Sequence, residues 1–272
     1  MSVAAVSAGQ SDAFDRARLP KLQNEPHNHG YAGADSIVVN DAFVYSGTEL
    51  DAMAEARNYC RWILDFFSPY LGEKVVEIGA GTGTFSQLLL NADRTAELVL
   101  FEVAANLFPS LRKRFAEDPR VHLHLGSFEP SVLRAPVDSV VLVNVLEHVL
   151  DDAALLSQIQ RSLRPGGSLL LFVPALEWNY GSLDKAFEHH RRYSKRALAD
   201  KLKRAGFRIG QARYVNMLGI TSWFFAGKVL HRRTLNPAQV RWYDRWIVPW
   251  SFKLEQIWEP PIGQSLAMVA LK

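Results

Sequence analysis

The chain has 272 residues, with 31 Lys plus Arg against 28 Asp plus Glu and a single cysteine. At a soft prior of ~150 residues per domain this is one to two domains, long enough for a large core without covalent staples. A formal charge of +3 spread along the chain argues against a dedicated nucleic-acid binder, which needs a concentrated basic surface, and the lone Cys60 excludes a disulfide framework or a cysteine-rich metal centre.

Residues 1–20 hold no apolar leader core, and no apolar run reaches the ~18 residues of a membrane span. The nearest candidate, MLGITSWFFAGKVL from Met217, is short and interrupted by Lys228. A cytoplasmic protein is expected. Residues 1–47 read as a polar N-terminal arm, whose Tyr31 and Tyr45 would close over a cleft if the arm orders. From Thr48 the pattern turns helical through Leu50, Met53, Cys60, Ile63, Leu64 and Phe67, until Pro69 and Gly72 stop it. Cys60 is expected as a buried small hydrophobe.

KVVEIGA is then a short strand, followed by a glycine cluster and a helix through Phe85, Leu88 and Leu89. AELVLFE is a second strand, Leu107 to Phe115 a second helix and VHLHLG a third strand. VDSVVLVNVL is the fourth, continuous in β-branched residues as a strand buried on both faces should be. LLSQIQRSL is helical and predicted to end at Pro165-Gly166-Gly167, before SLLLFVP as the fifth strand. This alternation is the βαβ signature of an open sheet with helices on both faces. Ser194 caps a further helix that Gly206 stops, FRIGQARYV is a sixth strand and SLAMVALK a seventh. One domain over 48–272 is expected, with 174–195 and 217–263 as additions that build a substrate side.

VVEIGAGTGTF places Gly79, Gly81 and Gly83 between a strand and a helix, where the chain turns tightly and a ligand can approach the backbone. The spacing is G-x-G-x-G, not the G-x-G-x-x-G of dinucleotide sites. No Lys-Ser or Lys-Thr follows, which excludes a P-loop. Glu77, two positions before the first glycine, suits a ligand with an ammonium group better than a pyrophosphate. Glu102 ends the second strand, where an acid accepts hydrogen bonds from ribose hydroxyls. Gly126, Ser127 and Phe128 end the third strand and would bracket an adenine, with Leu125 as part of its apolar wall. Asn144, Val145, Glu147 and His148 follow the fourth strand on the rim where open sheets bind ligands.

VVEIGAGTG, the acid closing LVLFE, the GSFE segment and VVLVNVLEHV resemble, in order and spacing, the signature elements of the Rossmann-like (class I) S-adenosylmethionine-dependent methyltransferases. The resemblance covers residues 69–175 most closely and extends over HHRRYS and the helix after it, 186–214, where it is similar to a subset acting on small molecules or lipids. MAEARNY looks like the leading helix of that subset. The resemblance implies an α/β fold with a seven-stranded, mostly parallel sheet whose last strand runs antiparallel between strands five and six. It also implies S-adenosylmethionine as methyl donor, leaving S-adenosylhomocysteine. Gly79, Gly81, Gly83 and Asn144 would then line its methionyl portion, Glu102 would hold the ribose and Ser127 and Phe128 would face adenine, while Tyr59 would reach the donor from the leading helix.

Methyl transfer from a sulfonium is an in-line displacement that needs positioning and exclusion of water rather than a fixed catalytic set. The acceptor is therefore less legible than the donor. If it is a hydroxyl, a histidine base would help, and His148, His189 and His190 are the candidates. The alternative for His189 and His190 is a loop anchor pairing Glu188 with an arginine. Their spacing matches no common zinc motif, so no metal is expected.

The 217–263 stretch holds five of the seven tryptophans, and from Lys228 to Arg245 it carries five Lys or Arg against one Asp. Val240, Tyr243, Ile247 and Trp250 would share a helical face. Three readings stand: a helical cover packed on the domain or on a second copy in a homodimer, a wall for an apolar acceptor, or weak contact with a membrane surface. Of Trp242, Trp246 and Trp250, at least one is expected in the core. The function expected is methylation of a small apolar or amphiphilic molecule, with oxygen preferred and no nucleic-acid partner. The alternatives are C- or N-methylation of a lipid-like or isoprenoid acceptor at a membrane surface, and a non-catalytic adenosyl-ligand module acting through protein partners. The last would gain if Trp178 or Trp223 filled the cleft.

Overall fold

A computed structural model describes residues 43–45 and 49–272; apart from 43–45, the arm expected over 1–47, Tyr31 included, lies outside the described residues. The helix expected to run unbroken to Phe67 is two helices, α1 (Glu49–Ala54) and α2 (Arg57–Phe67). The break exposes the first N–H groups of α2, which have no partner within the helix. The carboxylate of Asp244 accepts two of them, from Asn58 at 3.0 Å and Tyr59 at 2.9 Å. The inner face of α2 buries Cys60, Trp62, Ile63 and Phe67. Burial pushes the Cys60 thiol up to about 12, so it is an inert core side chain.

The alternation then runs β1 (Lys74–Ile78), α3 (Thr84–Leu90), β2 (Glu97–Glu102), α4 (Phe108–Phe115), β3 (Val121–Leu125), β4 (Val137–Val143), α5 (Asp152–Ser162) and β5 (Leu163–Pro174). After it come α6 (Ser182–Ala186), α7 (Lys195–Arg204), β6 (Arg208–Val215), and α8 (Gly219–Phe224), which continues as a π-helical turn over Phe225–Val229. Helices α9 (Pro237–Trp246) and α10 (Val248–Ile257) precede β7 (Ser265–Leu271). The Pro165-Gly166-Gly167 stop is misplaced by the sequence pattern. Helix α5 ends at Ser162, and the next residues are a bulge in β5: Val137 of β4 faces Leu163, but Ser139 faces Ser168.

The strands form one seven-stranded sheet in the order β3-β2-β1-β4-β5-β7-β6. All neighbours are parallel except β7, which runs antiparallel to both β5 and β6. Alternation along the strands builds two cores. Val76, Val140, Leu142, Leu169 and Leu171 pack on one face with Leu156, Ile159, Leu198 and Leu202 of α5 and α7. Val75, Leu98, Leu100, Val141 and Leu170 pack on the other with residues of α2, α3 and α4. No helix of the described residues is long and apolar enough to cross a membrane.

Candidate active site

The strand order reverses between β1 and β4, and open sheets bind ligands at the carboxyl ends of such a pair. Here the loop after β1 and the rim after β4 touch. A side chain on Gly79 would lie 2.5 Å from Val145, and Gly79 holds φ +78°. Gly81 differs: a methyl group there would meet only Leu50 of α1, at 3.6 Å, leaving the backbone of that residue open on its outer side. The loop is tied down by Glu102 at the tip of β2. Its buried carboxylate accepts the N–H of Gly81 at 2.6 Å and of Ala104 at 2.8 Å. Each carboxylate oxygen can accept a further bond, so the ribose role is compatible with the anchoring one. Residues 43–45 lie beside the same tip, where Phe43 accepts the N–H of Ala105 and the Tyr45 N–H donates to Asn106.

Two expectations on this side need correction. Glu77 is not a fixed negative charge at the loop: it is buried under α3, takes a hydrogen bond from the Ser86 hydroxyl, and burial pushes its carboxyl up to about 8. Phe128 is a core residue, 5% exposed and edge-on to Phe101 at 5.2 Å, so its ring cannot stack on a base. Gly126, whose N–H donates to the Glu102 carbonyl, and the exposed Ser127 and Leu125 remain along that edge. Asn144 sits at the end of β4 with φ +52°, uncommon for a side chain-bearing residue and the kind of local strain found at functional sites.

Tyr59 belongs to the β5–β7 side of the rim. Its hydroxyl bonds Ser265 at 3.0 Å and its ring packs edge-on to Phe172 and Trp62. Burial pushes the phenol up to about 12. Nearby, Tyr243 donates to the Asn216 side chain at 2.9 Å, and the buried Glu255 accepts the backbone N–H groups of Asn216 and Met217. Sequence reasoning missed this polar group. Its members are 206 residues apart at the extremes, and the only local signal was a Glu on an otherwise apolar helical face.

The histidines sort themselves. His190 is exposed, while His148 and His189 stack edge to face at 4.8 Å. Burial, then the neighbouring His189 and His190, depresses His148 to about 4, which makes it a weak base at neutral pH. His189 pairs through Nδ1 with Asp184 at 3.0 Å, and it is this acid rather than Glu188 that the arginine of the loop anchor meets. Asp184 also takes two bonds from Arg192, at 2.7 and 3.1 Å, and one from the Trp223 indole at 3.2 Å. Burial opposes its charge, but the hydrogen bond from His189 and the Arg192 guanidinium hold the carboxyl at about 2. Glu147, beside His148, is wholly buried and pushed up to about 8 by that burial. Asp184 was hidden in the short α6, where an acid usually reads as solvated.

The segment from α8 to α10 reverses one expectation. Trp242, Trp246 and Trp250 are 58%, 55% and 70% exposed, so none of the three is in the core. The inward face of α9 and α10 is Asp244, Val248, Ser251 and Glu255 instead. Trp178 is also exposed, and Trp223 is pinned between Asp184 and Arg192 rather than loose in a cleft. A separate concavity of about 390 Å³ runs along β3, lined by His122, His124 and Arg134 among others, and shares no residue with the rim.

Residues 52–212 match the family model described as a methyltransferase domain. Among curated proteins, a 37.1 kDa protein in transposon TN4556 of Streptomyces fradiae is 28% identical over 187 residues, 67% of this chain and 54% of that protein. Trans-aconitate 2-methyltransferase of Azoarcus sp. strain BH72 is 31% identical over 100 residues, 37% of this chain and 38% of its own length. The chain thus spans about half or less of the length of the curated relatives it matches. Among solved structures, Haemonchus contortus phosphoethanolamine N-methyltransferase 2 in complex with S-adenosyl-L-methionine aligns at a TM-score of 0.52 and 17% identity, over 82% of this chain and 57% of that one.

Proposed function

The chain belongs to the class I S-adenosylmethionine-dependent methyltransferases, and from that premise we propose that it transfers the donor's methyl group to an amphiphilic small molecule taken from a membrane surface, at an oxygen atom, on the cytoplasmic side. The observation that carries the acceptor class is the exposed face of the cover. Trp242, Trp246 and Trp250 point outward with Phe225, Leu230 and Ile257, all about half exposed or more. The five cations from Lys228 to Arg245 are exposed as well, while the single acid of that stretch, Asp244, is buried as a helix cap. Tryptophan and cations together favour the headgroup layer of an anionic bilayer. A soluble protein has little reason to leave so much aromatic surface in water.

In the donor crevice, Gly79, Gly81 and Asn144 would line the methionyl chain and Glu102 the ribose, with Gly126 and Ser127 along the adenine edge. When bound, S-adenosylmethionine supplies an electrophilic methyl carbon. This chain's residues hold it at the β1–β4 crevice and exclude water while the acceptor enters from the side of α8 to α10. Oxygen is kept as the acceptor atom on the sequence reading of the rim histidines; with His148 depressed to about 4 by burial and by the neighbouring His189 and His190, that side chain is not the base that takes the proton. The named substrate of the Azoarcus relative is likewise a small molecule.

The test uses labelled donor with hydroxyl-bearing amphiphiles in anionic vesicles, against polar metabolites and RNA in solution. Label should enter the apolar extract and depend on the vesicles. Label found only in polar metabolites or RNA would contradict the acceptor class.

A further inference from the structure

We propose that Glu147, His148 and His189 form a binding site for one divalent transition-metal cation of the zinc class. Each offers one ligand atom, and the three atoms lie within 4.8 Å of one another. Glu147 and His148 come from the short turn Leu146–His148 after β4, and His189 from the loop after α6. The residue before it, Glu188, is held at φ +59°, a sparsely populated conformation of the kind found at functional sites.

The hydrogen bonding around the cluster points to a cation. His189 Nδ1 lies 3.0 Å from the Asp184 carboxylate, which fixes the ring, and its Nε2 faces Glu147 Oε1 across 4.0 Å. Glu147 is 0% exposed, yet neither of its carboxylate oxygens meets a hydrogen-bond donor among the described residues. A positive ion between these atoms satisfies both. The outer support is also in place: histidine ligands of metals commonly donate their other N–H to a carboxylate, and Asp184 is itself fixed by Arg192 and Trp223.

Two imidazoles and one carboxylate make a nitrogen-and-oxygen set that suits zinc and its neighbours in the first transition row better than magnesium or calcium. Bond lengths of roughly 2.0–2.2 Å require the ligand atoms to close by about an ångström around the ion. Three protein ligands leave a position open, as in catalytic rather than structural sites. The following use of that position rests on the methyl-transfer reading. An ion held by Glu147, His148 and His189 would supply Lewis acidity to an acceptor hydroxyl, whose proton would leave to solvent as its oxygen takes the methyl carbon and the carbon–sulfur electron pair stays on sulfur.

The experiment is a titration of the full, tag-free, chelator-dialysed chain with Co²⁺ followed by visible absorption, and with Zn²⁺ followed by calorimetry. One equivalent should bind, with d–d bands that zinc abolishes. E147Q, H189N and D184N should each weaken binding by roughly 10–100-fold, and H190N should not change it. Binding only at millimolar metal, or equal binding in E147Q, would overturn the site. Donor titration of the same samples separates the two proposals. Metal uptake without donor binding keeps the site and removes its catalytic use, while donor binding without metal uptake removes the site alone.

Discussion

A methyl group on Gly83 would lie 2.7 Å from Phe115 and 2.9 Å from Leu111, whereas one on Gly81 would meet only Leu50 at 3.6 Å. Both residues hold positive φ, so Gly81→Ala costs about 1–2 kcal/mol of conformational energy, and Gly83→Ala adds overpacking of about 1–3 kcal/mol. Urea midpoints should therefore fall further for Gly83→Ala, and donor affinity further for Gly81→Ala. Glu102→Ala should weaken donor binding by about 1–3 kcal/mol and also lower the midpoint, because it frees the Gly81 and Ala104 N–H groups. Glu77 gives a pH signature. Its folded carboxyl, at about 8, lies above its ordinary value of 4.5, so the native state holds a proton that the unfolded state has lost. Stability from this group falls as pH rises from about 4.5 to 8. Glu77→Gln should flatten the fall in urea midpoint of the ligand-free protein across that window, and an unchanged slope would contradict the assignment. At this scale the tight turn at Gly79, Gly81 and Gly83 was legible because it is written in neighbouring residues, while the tie of the Gly81 N–H to Glu102 was not, being a contact between two strand ends. Glu77 was misread because a strand's alternation shows which residues share a face, not which face a ligand occupies, and Phe128 because nothing in the segment after β3 shows that its ring turns into the core against Phe101. The pairing of His189 with Asp184 and its approach to Glu147 depend on loops meeting in space.

The break between α1 and α2 is compensated by an acid from α9 that is 185 residues away at Tyr59. Asp244→Ala removes the acceptor for two helix-start N–H groups in a buried setting and should cost about 1–2 kcal/mol, read as a urea midpoint. Asp244→Asn, which keeps one acceptor oxygen, should recover part of it. A loss no larger than that of an exposed-site control such as Asp200→Ala would show that α2 does not need this cap. Nothing local to 48–67 betrays the break, since the apolar period runs through it. The Pro-Gly-Gly segment misled in the other direction: those residues end helices, but they also suit a bulge, and only the pairing of β5 with β4 decides. The aromatic stripe misled for a third reason. Trp242 and Trp246 lie on α9 and Trp250 on α10, so no single helix carries the stripe. The inward positions go to Asp244, which caps α2, and to Glu255, which bonds the backbone after β6, with Ser251 donating to Glu255 within α10.

For the whole molecule, the seven strands follow the sequence pattern because each is a short run bounded by turn residues, whereas the place of β7, antiparallel between β5 and β6, was legible only through the resemblance to the class I methyltransferases. The cover over α8 to α10 has the opposite character: its position was legible and its outward face was not. That face makes a direct prediction. Trp246→Ala should change the urea midpoint little, since the ring is mostly in water, while lowering co-sedimentation with anionic vesicles. Arg241→Ala with Arg245→Ala should reduce the same binding, and more so at low ionic strength, where attraction between surface charges is least screened. Absence of sedimentation at low salt would confine the acceptor to solution. The central claim, however, is the donor, and calorimetric titration of the full chain with S-adenosylmethionine, S-adenosylhomocysteine and NAD tests it most directly. Saturable binding of the two adenosyl-sulfur ligands that is lost in Gly81→Val, with no binding of NAD, is the predicted result. Binding of NAD with none of S-adenosylmethionine would contradict it.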